Sequence, residues 1–134
     1  FSKPFDAVAL ARVAGATFVA RTTTYHAKEM IDIMSQGISH KGFSVIEVMS
    51  QCPTYYGRKN KIGGAVEMMQ SYRDGTVKVG SKKAKEDPSL VERGIFVKED
   101  SPEYVASYLA FMETLQAGKK EEAQKSEPTG DHHG

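Results

Sequence analysis

The chain has 134 residues, with 18 Lys+Arg against 17 Asp+Glu, 40% hydrophobic and 26% charged residues, a balance that suits one globular domain and excludes two ordinary ones. A formal charge of +1 argues against nucleic acid as a partner, because polyanion-binding modules carry a large basic excess, and no apolar run approaches the ~20 residues that cross a bilayer. The single cysteine, Cys52, excludes an internal disulfide and any closed zinc site built on thiolates alone.

Residues 5–14 read as a short helix, with Asp6 near its start, Val8 and Ala11 on one side and Gly15 placed to stop it. The β-branched and aromatic run from Thr17 to Thr22 reads as a strand, and Thr22, Thr23 and Thr24 form a polar loop after it. From Ala27 to His40 the apolar residues Met30, Ile31, Met34 and Ile38 recur at three- and four-residue steps, the helical period. Lys41-Gly42 ends that helix, and Phe43 to Met49 reads as a mostly buried strand. Such a strand-helix-strand unit places its two strands parallel, joined by a right-handed crossover.

Ser50 to Gly64 holds Pro53, Gly57, Gly63 and Gly64 without periodicity and reads as a long loop, a class that is usually functional or covered by another part of the molecule. Ala65 to Arg73 forms a helix with Val66, Met69 and Tyr72 facing inward. Gly80 to Pro88 is Lys-rich and exposed, and Gly94 to Val97 adds a short strand. Ser101-Pro102-Glu103 starts a helix, with Ser as N-cap and Pro at the first helical position, and Tyr104, Val105, Tyr108, Leu109, Met112 and Leu115 form its apolar stripe. The segment 119–134 is charged, lacks a stripe to bury and is expected to be a disordered tail after a domain over 1–118. Two parallel strands, or three, do not make a sheet covered on both faces. The expectation is an α/β fold whose partial parallel sheet is completed by sequence outside this chain or by a partner. The opening on Phe1 rather than Met leads to the expectation of a processed or truncated polypeptide, and the absence of a charged segment followed by an apolar one to that of a soluble, cytoplasmic protein.

Ligands gather beyond the carboxyl ends of parallel strands, so the loops at Thr22 to His26 and Ser50 to Thr54 share one candidate edge. Cys52 is the sharpest residue on it. As a lone cysteine it reads either as a small buried hydrophobe or as a ligand. Nucleophilic catalysis would need His26 or His40 beside it; His40 falls at the opposite edge, and no orienting acid lies near His26 in sequence. His132 and His133 are adjacent side chains in the tail and make no defined metal site. Arg58, Lys59 and Lys61 precede Gly63-Gly64 and a helix start, where basic side chains and backbone N–H groups could meet an anion. The spacing of a P-loop is absent, and a solvated or partner-facing basic loop is the plainer reading.

Three ordered blocks carry a more specific signal: Ala14-Gly15-Ala16-Thr17-Phe18-Val19-Ala20-Arg21, then Ser39-His40-Lys41-Gly42-Phe43-Ser44, then Cys52-Pro53-Thr54-Tyr55-Tyr56-Gly57-Arg58-Lys59-Asn60. Together they resemble the carboxy-terminal half of the β subunit of 2-oxoacid:ferredoxin oxidoreductases, in the 2-oxoglutarate (succinyl-CoA-forming) branch. The resemblance implies part of a thiamine diphosphate-binding fold. It also implies a part in oxidative decarboxylation of 2-oxoglutarate to succinyl-CoA, with thiamine diphosphate, magnesium and coenzyme A, and electron transfer through an iron-sulfur cluster to ferredoxin. The implied partners are an α subunit, further small subunits, ferredoxin and coenzyme A, with neither nucleic acid nor membrane. In members with a cluster in this subunit, the cysteine matching Cys52 is its last ligand, which makes Cys52 the implied metal and cofactor residue; a 4Fe-4S cluster takes four cysteine ligands, of which this chain offers one. The family's diphosphate-magnesium motif, a Gly-Asp-Gly followed by an Asn, has no counterpart here, so those anchors are expected outside this chain. No catalytic residue is assigned within it, and the chain alone is expected to be inactive. The alternative is a noncatalytic anion-binding or subunit-assembly module that uses the Arg58 to Lys61 loop.

Overall fold

The computed structural model describes residues 5–125. The first part of the chain, to Ser101, is one compact unit. It begins with helix α1 (Ala7–Val13), whose N-cap Asp6 accepts from the N–H groups of Val8 and Ala9 at 3.1 and 3.2 Å. Val8 and Ala11 turn inward as their spacing predicts, and Gly15 takes a φ of +83° after the helix. Strand β1 (Phe18–Thr23) follows, then helix α2 (Ala27–Ser39) and strand β2 (Ser44–Met49), with β1 and β2 parallel from Phe18↔Ser44 to Thr23↔Met49. The strand-helix-strand unit read from the sequence is therefore present.

After β2 come a π-helical turn (Pro53–Gly57), one turn of helix α3 (Arg58–Asn60), helix α4 (Ala65–Asp74), strand β3 (Thr76–Lys78), helix α5 (Lys82–Glu86) and strand β4 (Val91–Lys98). The sheet order is β2-β1-β4-β3. Strand β4 runs antiparallel to β1, with a register shift between Val19 and Ala20 that leaves Phe96 as the extra residue, and β3 lies parallel to β4. The sheet is thus mixed and four-stranded. The short β3 escapes sequence reading because three residues carry too little periodicity to register.

Strand β1 is the centre of the fold: like β4 it is paired on both sides, and unlike β4 it is almost wholly buried. One face packs Val19 and Ala16 against Val8 and Ala11 of α1, and the other packs Phe18 and Ala20 against Ile33 of α2, with Ile46 and Ile95 beside them. Phe18, Val19 and Ala20 are fully buried. Arg21 ties the layers together: its guanidinium donates to Glu47 at 2.5 Å and to Asp6 at 2.9 Å and lies 5.8 Å from the Phe96 ring centre. Arg93 makes the corresponding ion pair with Glu29 of α2.

Two helix faces differ from the sequence pattern. In α2 the inward residues are Ile33 and Gly37, whereas Ile31 and Ile38 are 61% and 85% exposed. Gly37 allows α2 to approach the sheet: a Cβ there would stand 2.6 Å from Cδ1 of Ile46 and 3.2 Å from Phe18. The more hydrophobic stripe of the helix is thus left outward. In α4 the buried residue is Met68, and Val66, expected to face inward, is exposed. The Gly80 to Pro88 stretch is largely exposed as expected, but it contains α5, which Ser81 caps by accepting from the N–H of Ala84 at 3.3 Å.

Among the described residues, those from Pro102 to Lys125 form a second unit, which holds helix α6 (Tyr104–Lys125). It starts two residues after the expected first helical position, and Glu103, not Ser101, supplies the cap: its carboxylate accepts from the N–H of Ala106 at 3.2 Å. The helix continues past Lys119 to Lys125. The rest of the segment expected as a disordered tail, including His132 and His133, lies outside the described residues.

Candidate functional site at the carboxyl edge of the parallel strands

The shared edge inferred from strand order is present. The N–H of Thr24, just past β1, donates to the carbonyl of Met49 at 3.1 Å, and the Thr24 hydroxyl donates to the Gln51 side chain at 2.8 Å. These bonds hold the loop after β1 against the loop after β2. His26 stands on the same edge as N-cap of α2, with Nδ1 2.8 Å from the Thr23 hydroxyl. Burial first, and then the Arg93 charge, lower its pKa, while Glu29 opposes them. His40 falls at the opposite edge, where Nε2 lies 2.9 Å from the Thr17 hydroxyl. Neither histidine is hydrogen-bonded to Cys52, so no Cys-His pair is formed among the described residues.

Cys52 is exposed and immediately precedes the π-helical turn. The backbone N–H of Tyr56 and then that of Tyr55 hold its thiol below the ordinary value, helped by the Thr54 hydroxyl and opposed by slight desolvation. The turn thereby favours the thiolate, the nucleophilic and metal-ligating form. Cys52, Met49, Ser50, Tyr56 and Tyr72 line an open cleft of about 440 Å³.

The π-helical turn is the part of this site that sequence reading misses, since Pro53 and Gly57 look like loop residues. Pro53 at its start costs no helical bond, and the Gly57 N–H closes the turn on the Cys52 carbonyl at 2.9 Å. Met68 of α4 supports it from below: a Cβ on Gly57 would stand 2.9 Å from Sδ of Met68 and 3.0 Å from the Gly63 carbonyl oxygen. The one legible signal was the four-residue spacing of Tyr55 and Lys59, whose side chains meet with Nζ 3.1 Å from the phenol oxygen and 4.6 Å from the ring centre.

The anion site considered before α4 is not formed as the sequence suggests. The Gly64 N–H at that helix start donates to the Glu67 carboxylate at 2.9 Å, so a negative charge already occupies the position an anion would take.

No family model matches the chain. It is 42% identical over 101 residues to the 2-oxoglutarate synthase subunit KorB of Methanothermobacter marburgensis, covering 74% of this chain and 35% of that protein. The KorB of Methanocaldococcus jannaschii is 35% identical over 115 residues, covering 84% of this chain and 43% of the relative. The chain is a relative of 2-oxoacid:ferredoxin oxidoreductase β subunits. It spans well under half the length of these curated relatives. The same fold occurs in the 2-oxoglutarate:ferredoxin oxidoreductase of Magnetococcus marinus, solved with 2-oxoglutarate, coenzyme A and succinyl-CoA bound, at a TM-score of 0.67 and 19% identity over 95% of this chain and 46% of that one. The resemblance read from the three sequence blocks is borne out.

The donor set bears on the cofactors this kinship implies. An exposed thiol held toward its thiolate at a strand edge suits one corner of an iron-sulfur cluster. The described residues contain no group of three or more His, Cys, Asp or Glu able to hold a metal ion. No helix among the described residues is long and apolar enough to cross a membrane.

Proposed function

We propose that this chain forms the carboxy-terminal part of the β subunit of a thiamine diphosphate-dependent oxidoreductase that converts 2-oxoglutarate and coenzyme A to succinyl-CoA and passes the electrons to ferredoxin. The observation that carries the reading is 42% identity to a 2-oxoglutarate synthase subunit over 101 residues, in a chain whose one cysteine is exposed at the carboxyl edge of β2. Cys52 supplies one thiolate to a 4Fe-4S cluster, and the other ligands come from sequence outside this chain. A bound cluster provides one-electron relay. Thr54 and the backbone donors of the turn favour the thiolate, the form that ligates a metal, and no histidine among the described residues is placed as its base. The thiamine diphosphate and magnesium anchors also lie outside this chain, as does the α subunit that completes the enzyme.

The outward stripe of α2 supports the same reading. Ile31 and Ile38, with Phe43 before β2, are exposed here, and in a chain spanning about a third of its relatives the remaining subunit covers them. The deciding experiment is Cys52→Ser in the full-length assembly, purified anaerobically beside wild type. Iron and sulfide per assembly fall and the cluster's visible absorbance is lost or weakened; an unchanged count would reject the ligand assignment, whatever happened to stability. Absence of 2-oxoglutarate- and coenzyme A-dependent viologen reduction in the wild-type assembly would reject the reaction.

A further inference from the structure

We propose that Thr24 is a positioning residue for Cys52: its hydroxyl on Gln51 fixes the chain that enters the π-helical turn, and with it the place of the sulfur. The inference rests on the cluster role proposed for Cys52 above, and it adds the residue, at the end of another strand, that holds this ligand.

The need for such a residue follows from the chain itself. Strand β2 ends at Met49, and Ser50, Gln51 and Cys52 belong to no helix or strand. A link of that kind keeps its conformational freedom unless groups outside it take up its polar atoms. Downstream, the turn closes on the cysteine, the Gly57 N–H donating to the Cys52 carbonyl at 2.9 Å. Upstream, two bonds come from one residue: the Thr24 N–H donates to the Met49 carbonyl at 3.1 Å, and the Thr24 hydroxyl donates to Oε1 of Gln51 at 2.8 Å. Among the described residues no other side chain bonds to Ser50 or Gln51. The ligand therefore lies between two anchors, one made by its own turn and one by the end of β1.

The second anchor is built on the core. Thr24 directly follows Thr22 and Thr23, both fully buried at the end of the central strand, and Gln51 is itself half-buried, so the bond between them is partly shielded from water. Sδ of Met69 on α4 lies 3.5 Å from the same hydroxyl oxygen. A threonine hydroxyl has one proton to donate, and the amide oxygen is the nearer acceptor, so Met69 closes the space beside the bond. Its neighbour Met68 packs beneath Gly57. Two successive residues of α4 thus support the two anchors on either side of Cys52.

The chemistry of a shared cluster gives this clamp its use. A sulfur that must meet ligands brought from elsewhere binds well only if its own chain already holds it near the productive position, within about 0.5 Å. Residues that orient a metal ligand without touching the metal typically carry about 10–100-fold in affinity. The reduction potential of a cluster also depends on hydrogen bonds to its sulfurs and on solvent access, and both change when the turn that carries Cys52 swings. Thr24 reaches the cluster through Gln51 and the main chain, so its effect is on position.

The test compares Thr24→Val, which keeps the shape and removes the hydroxyl, with Thr24→Ser, which keeps the hydroxyl, in the full-length assembly purified anaerobically, with Cys52→Ser beside them. Thr24→Val is expected to release iron to a chelator about tenfold faster than wild type or more, while Thr24→Ser stays within about twofold. The midpoint potential of the cluster is displaced in Thr24→Val and stays at the wild-type value in Thr24→Ser. Wild-type release and potential in Thr24→Val, beside loss of iron in Cys52→Ser, would overturn the proposal and leave the proposed function standing. Equal changes in Thr24→Val and Thr24→Ser would trace the effect to packing and overturn it too, and so would a lowered Tm in Thr24→Val at an unmoved potential, the mark of a merely structural bond. A full iron count in Cys52→Ser rejects the cluster role itself, and this inference with it. Should Thr24→Val not assemble, Gln51→Leu removes the acceptor and Gln51→Glu retains one; the first is expected to release iron faster and the second to approach wild type, and no difference between them would refute the clamp.

Discussion

Replacing Gly42 by Ala tests whether the turn into β2 is built as described. Gly42 has a φ of +129°, and a Cβ there would stand 2.3 Å from the Thr17 hydroxyl oxygen and 3.2 Å from Nε2 of His40. Forcing an L-residue into that backbone region costs about 1–3 kcal/mol. The Thr17 hydroxyl must also turn away, and with it go its bond to His40 at 2.9 Å and the bond it accepts from the Phe43 N–H at 3.1 Å, at about 1 kcal/mol each. The sum is about 3–5 kcal/mol, a large fraction of the ~5–15 kcal/mol that typically stabilises a domain. Urea denaturation followed by far-ultraviolet circular dichroism reads this loss as a lower midpoint at unchanged slope. Thr17→Ala separates the two contributions, because it removes the clash but leaves the backbone strain. The double variant is therefore expected to be less destabilised than the sum of the singles by about 1–2 kcal/mol. A Gly42→Ala variant within about 0.5 kcal/mol of wild type would refute the backbone argument. Strict additivity would refute the clash.

Phe18→Ala empties a site that is fully buried between Ile33, Ile46 and Ile95, and the same denaturation assay should show a loss of about 3–5 kcal/mol; a loss below about 1 kcal/mol would mean that β1 is not the core strand. Alkylation of Cys52 by iodoacetamide in this chain should reach half its maximal rate below pH ~8.5, the value of an ordinary cysteine, since the Tyr56 and Tyr55 N–H groups favour the thiolate, and Thr54→Val should move the midpoint upward; a wild-type midpoint at or above the ordinary value contradicts that effect of the turn. His26 has a lowered pKa in the fold, so the unfolded chain binds the proton more readily. Its contribution leaves stability undiminished above about pH 6.5 and reduces it as pH falls through that range and the lower folded value. Midpoints measured at pH 7.5 and 5.5 should differ less in His26→Gln than in wild type, and an equal difference in the two proteins would remove His26 as the cause.

Much of the fold was legible because its central unit is local in sequence. The Asp6 cap and the inward Val8 and Ala11 of α1 follow from spacing. So do the β-branched run of β1, and the placement of His26 and His40 at opposite edges once β1 and β2 are taken as parallel. The blocks that carry the family resemblance also have local reasons, seen most clearly in Gly42, whose backbone excludes a side chain beside Thr17. Tertiary structure decided the rest. Which stripe of α2 faces the sheet could not be read from hydrophobicity, because the close approach is set by small Gly37 against Ile46, and the stronger stripe of Ile31 and Ile38 is turned outward. The antiparallel entry of β4 beside β1 depends on a pairing between residues distant in the chain, where no local preference specifies a partner. The state of Cys52 was undetermined for the same reason. Its residue type is compatible with a buried filler or an exposed ligand, and only the turn folded over Gly57, with Met68 beneath, makes it exposed and inclined to the thiolate.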